Sequence, residues 1–100
     1  MVALKTPLFN PRKIVATPAV LEALQQANQG IWIFLARHLA GDWGAVDAHD
    51  KAANDEALKD GSRLLSAYSL NTGTTIWLVT EAKDDNGQRA ATTALLPEEY

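Results

Sequence analysis

Cysteine is absent from the 100 residues. That removes disulfide staples, thiolate nucleophiles and sulfur-ligated zinc, and it points to a reducing compartment, the cytoplasm. A basic cluster is missing too: nine Lys and Arg are scattered from Lys5 to Arg89 against twelve Asp and Glu, for a formal charge of −3. Duplex binding depends on concentrated positive charge that releases counterions, so nucleic acid is not an expected partner. The longest apolar run, Ile31 to Ala36, falls far short of the roughly 20 residues that cross a bilayer. The apolar opening Met1 to Leu4 has no positive stretch before it and is broken by Pro7 and Pro11, so neither a signal peptide nor a membrane anchor is expected. Histidine is scarce. His38 and His49 form no i, i+4 pair with an acid and no H-E-x-x-H arrangement, so the expectation is no metal and no cofactor.

What is present reads as one globular domain, 47% hydrophobic and 21% charged, of a length at which a single core forms. Residues 1–16, with two prolines and an Asn10-Pro11 turn signal, read as an extended arm carrying Leu8, Phe9, Ile14 and Val15. Residues 17–100 form the domain. Thr17-Pro18 supplies a capping hydroxyl and a proline at the first helical position. Val20, Leu21, Leu24 and Ala27 follow at helical spacing, and Gly30 is placed to stop the helix. Ile31 to Ala40 continues as a second helix with Arg37 and His38 in its last turn and Gly41 after it. The Ala-, Asp-, Glu- and Lys-rich segment from Asp47 to Asp60 is a mostly exposed helix or an ordered loop.

After Gly61 the pattern changes to strands. Arg63 to Tyr68 leads to Asn71-Thr72-Gly73, a hairpin signal; Thr74 to Thr80 is dense in β-branched and aromatic residues; Arg89 to Leu96 follows a polar turn and ends at Pro97. The fold expected is α+β: two or three N-terminal helices packed on one face of a C-terminal three-stranded antiparallel β-meander. Leu21, Leu24, Ile31, Phe34 and Leu35 are its cover, and Trp32 and Trp77 are read as core. Whether Thr75, Trp77 and Val79 or Thr74, Ile76 and Leu78 face outward depends on register.

Three groups of residues are candidates for function. Asp42-Trp43 in a glycine-flanked turn can present an indole to a protein partner, or Trp43 can plug a small core. Asp47 and Asp50 open an acidic band that can dock a basic partner, or simply face solvent. Arg63, Arg89, Thr92 and Thr93 can converge on an open sheet face, where arginines would hold a phosphate, yet no histidine lies on these strands to act as acid or base. The two histidines themselves read as helix-end and surface residues.

The runs Leu35-Ala36-Arg37-His38, Gly41-Asp42-Trp43-Gly44, Asp50 to Gly61, Leu64 to Tyr68, Ile76-Trp77, Thr80-Glu81-Ala82 and Thr92 to Tyr100 resemble a family of small plasmid-related proteins. These are carried on bacterial plasmids, integrative elements and phage-derived regions, and the likeness spans roughly residues 13–100. Members have a shorter connection ending Asp-Arg-Ser before the Thr-Thr pair, where this chain runs from Lys83 to Ala91. Some members are labelled restriction-modification subunits, but a methyltransferase's glycine-rich cofactor loop is missing here. The resemblance implies an accessory protein of a mobile element, acting by protein-protein binding and directed at host defence. The order of helices and sheet also resembles, at fold level only, barnase-like and colicin-like ribonuclease toxins, which implies the alternative of a small ribonuclease. A homodimer through an exposed strand edge is compatible with either.

Overall fold

The structure is a computed structural model that describes residues 6–100. The apolar opening Met1 to Leu4 and the first five residues of the expected arm lie outside the described residues. Thr17 starts the first helix as its sequence predicts: its Oγ1 accepts the Val20 N–H at 3.2 Å and Pro18 follows. This helix, α1 (Pro18–Ala27), ends at Asn28 rather than at Gly30. Asn28 takes the left-handed conformation, φ 53, that asparagine tolerates better than most residues, while Gly30 is extended and precedes the next helix. α2 (Ile31–Leu39) ends before Gly41, whose φ is 81. The acidic segment is a full helix, α3 (Ala48–Asp60), capped by the Asp47 carboxylate on the Asp50 N–H at 2.8 Å and closed by Gly61 at φ 84. Among the described residues no helix is long and apolar enough to cross a membrane.

The α+β class holds, with the helices before the main run of strands, but the sheet is not a three-stranded antiparallel meander. It has four strands, β1 (Lys13–Ala16), β2 (Leu64–Ser69), β3 (Thr75–Thr80) and β4 (Ala91–Leu95), in the order β1-β4-β3-β2. β2, β3 and β4 are the expected antiparallel run. β1 comes from the end of the arm and pairs with β4 in parallel, Lys13 opposite Ala91 and Ala16 opposite Ala94. Ile14 and Val15 are β-branched and suit a strand. A parallel partner needs a long crossover, and here the crossover contains the three α-helices and the two other strands.

Register settles the faces. Tyr68 lies opposite Ile76, and Leu78 opposite Ala94. These four pack with Val20, Leu24, Ala27 and Phe34 of the helices in the main core. Thr75, Trp77 and Val79 therefore face away from α1 and α2, where the Trp77 ring meets Tyr100 edge-on. A second cluster gathers Trp43, Ala57 and Leu64, with Phe9, Val46 and Leu58 against it. Not every expected cover residue serves: Leu21 is exposed, Ile31 is half-buried at the rim of the main core, and Trp32, read as core, is 67% exposed.

Candidate functional site

α2 turns a stripe of Ile31, Phe34, Leu35 and His38 toward the sheet, the i, i+3, i+4, i+7 spacing of a buried helix face. His38, expected at the surface, is the last residue of that stripe and is completely buried. Its Nδ1 meets Ser66 Oγ, and its Nε2 lies 2.8 Å from Thr80 Oγ1. Thr80 Oγ1 lies 2.7 Å from Thr92 Oγ1, which donates to the Pro11 carbonyl at 2.9 Å. A carbonyl only accepts, so the direction of the whole chain follows. Thr92 uses its proton on Pro11, Thr80 donates to Thr92, and His38 must then donate from Nε2 to Thr80 and accept the Ser66 hydroxyl at Nδ1.

A serine donating to an imidazole is the geometry of an activated nucleophile. Here a threonine stands where a carboxylate would orient the ring, and Ser66, Thr80 and Thr92 are all fully buried. No substrate reaches Ser66. Burial, and secondarily the charge of Arg89, lowers the His38 pKa to about 4, which keeps the ring neutral. These hydrogen bonds satisfy polar groups inside the core.

Arg63, Arg89, Thr92 and Thr93 do not converge. Thr92 is in the buried polar chain, whereas Thr93, its neighbour along β4, points to the opposite face. Arg63 donates to Tyr100 Oη at 2.7 Å. Arg89 is 5% exposed and fixed by three carbonyls, those of Ser62, Glu81 and Ala57, at 2.7 to 3.1 Å. It thereby ties the last turn of α3, through Ala57, to the backbone at Ser62 and Glu81.

Trp43 does not present its ring to a partner. It is 3% exposed and its indole N–H donates to Asp55 at 3.0 Å, because the 41–45 loop folds it under α3. Asp42 holds that loop: its carboxylate pairs with Arg37 at 2.7 Å and accepts the Gly44 N–H, while its carbonyl accepts the Tyr68 hydroxyl. This pairing raises the pKa of Arg37. Asp47 is a helix cap. Asp50 borders an open groove shared with Arg63, Trp77 and Tyr100 on the outer sheet face, and Asp42 and Trp43 line a second one with Val46 and Lys51. Among the described residues no three His, Asp or Glu side chains gather as metal ligands.

The surface feature that sequence reasoning missed lies on α2. Trp32 and Ile33 are 67% and 57% exposed, and Ala36, one turn on from both, is exposed with them. The signal was available: once Ile31, Phe34, Leu35 and His38 are taken as the buried stripe, Trp32, Ile33 and Ala36 fall outside it. No family model, curated protein or solved structure matches the chain.

Proposed function

We propose that this protein is a non-enzymatic binding module that docks another protein on the outward face of α2. The observation that carries the reading is the exposure of Trp32 beside Ile33 on one short helix. Tryptophan is over-represented among interface residues that dominate binding energy, and an indole left largely in water has most of its area still to bury. Arg37 flanks the patch and is held toward the protein by its ion pair with Asp42 and by its position 4.7 Å over the Tyr68 ring, which gives the patch a fixed polar rim.

A binding role is favoured over the ribonuclease because the four residues proposed for catalysis are divided between two sheet faces, and the best nucleophile-base pair is sealed in the core. The likeness to proteins of plasmids and phage-derived regions supports an accessory role on a mobile element, with a host protein as the partner. Trp32→Ala tests the reading in affinity capture from the bacterial host. Its expected effect is a loss of about 2 kcal/mol or more of binding, roughly a 30-fold weaker Kd, with the melting temperature unchanged because the side chain packs on little. Retention of the same partner by Trp32→Ala and by Ile33→Ala at wild-type strength refutes the surface.

A further inference from the structure

Away from α2, a pocket of about 260 Å³ lies where the arm meets the end of α3 and the 83–89 turn. Arg12, Lys83 and Arg89 all line it, and not one of its nine lining residues is acidic. In a chain of net charge −3, three of the nine Lys and Arg thus share one cavity. We propose that this pocket binds the phosphate group of a small phosphorylated molecule.

Arg89 is the fixed end of the site. Three of its five N–H groups go to backbone carbonyls, while Nε, cut off from water, has no acceptor among the described residues. Buried N–H groups without a partner are rare in folded proteins, and this one belongs to a cation. Burial lowers the pKa of Arg89 and Asp60 only partly opposes it; the Asp60 carboxylate itself accepts the Ser62 N–H. An anion in the pocket supplies negative charge beside this buried cation.

The other two cations are placed but unpaired. Lys83 and Arg89 face each other across an antiparallel bridge, and the Lys83 stem lies over Gly61 where Lys83 lines the pocket. Arg12 sits in a left-handed backbone, φ 60, with its N–H on Asn10 Oδ1 and its guanidinium 3.2 Å from Gln88 Oε1, so that it closes the pocket from the arm. Neither Arg12 nor Lys83 has a carboxylate within ion-pair distance among the described residues. Three cationic side chains around one pocket suit the charge of a phosphate better than the single charge of a carboxylate. Phe9, Leu8 and Leu58 make the remaining wall apolar, which fits an organic phosphate monoester as well as free phosphate. A polynucleotide is disfavoured, because the cations stop at the rim instead of running on as a stripe.

The test is a titration of the full chain, labelled with nitrogen-15, by inorganic phosphate, by phenyl phosphate, and by a short RNA lacking terminal phosphates, against sodium chloride of equal ionic strength. The Arg89 Nε–H signal is expected to move saturably with both phosphates and not with chloride, and Arg12→Ala with Lys83→Ala is expected to weaken binding roughly tenfold or more. Both of those residues are exposed, so the double variant keeps the fold. Tighter binding of phenyl phosphate identifies an organic monoester as the ligand, and equal binding identifies phosphate itself; either supports the site. An Arg89 signal indifferent to both phosphates overturns the proposal, as do unchanged affinity in the double variant and preference for the RNA.

Discussion

His38 has exchanged hydration for two hydroxyl partners, Ser66 and Thr80, and the consequence is a stability that depends on pH. In the unfolded chain the ring takes up a proton near its ordinary value of 6.5, whereas in the fold it does so only near 4. Above 6.5 both states are neutral and the histidine contributes no pH dependence. Between 6.5 and 4 the unfolded state binds the proton first, so stability falls as the pH drops, by roughly 3 kcal/mol in all at about 1.4 kcal/mol per tenfold change in proton affinity. Urea unfolding followed from pH 7 to pH 4 should show that decline, and the His38 ring resonances should titrate near 4. A ring that titrates near 6.5 in the folded protein removes the basis of the prediction. The burial of this residue was legible in the spacing of Ile31, Phe34, Leu35 and His38, but its partners were not, since Ser66 and Thr80 reach it only through the register of two strands. The same holds for Arg89, whose carbonyl partners come from three separate places in the chain.

Helix ends and turns are where the sequence spoke most directly, because the physics there is local. Thr17, Gly41, Gly61 and Gly73 do what their neighbours require of them, the end of α1 passes from the expected glycine to Asn28, and Asp47, read as a docking carboxylate, caps α3 instead. The edge of β2 is the opposite case. Its backbone is paired by elements from outside the sheet: Asn54 of α3 takes both the N–H and the carbonyl of Leu65, at 3.0 and 2.7 Å, and the loop at Trp43 and Ala45 does the same for Ala67. An edge sealed in this way offers no strand to a second copy. Gly44 lies between Trp43 and Ala45, with φ 74, and a Cβ there would stand 2.0 Å from the Ala67 carbonyl oxygen and 2.7 Å from the Tyr68 ring. Gly44→Ala should therefore cost about 3 kcal/mol or more, since backbone must move. Gly73→Ala, at φ 93 with nothing within 4 Å, should cost only the roughly 1 kcal/mol of a left-handed residue with a side chain. Chemical denaturation of the two variants compares them directly, and equal losses would mean that the close approach at Ala67 is not limiting.

The molecule as a whole is held together at its chain ends by contacts that no local pattern announces. β1 pairs with β4; the Pro11 carbonyl receives Thr92; the Leu8 N–H reaches the Leu39 carbonyl at 2.9 Å; and the Thr17 N–H reaches the Ala94 carbonyl at 3.0 Å. An arm with two prolines reads as extended from sequence; of its described residues Lys13–Ala16 is a strand while Leu8 and Phe9 bend and Arg12 is left-handed, and only the fold reveals that Ile14 and Val15 find a parallel partner near the other end of the chain. These contacts close the longest loop of the fold through a four-pair ladder on an edge strand, whereas β3 is paired on both sides along most of its length. Closing a long loop is entropically costly, and a four-residue ladder returns little for it. Opening of the arm should accordingly require less free energy than opening of the antiparallel core. Native-state hydrogen exchange should show the bonded amides of β1 exchanging well before those of β3 under conditions where exchange reports the opening equilibrium. If β1 and β3 exchange together at the rate of global unfolding, the arm is an integral part of the cooperative unit, and the phosphate pocket that it closes is as permanent as the core.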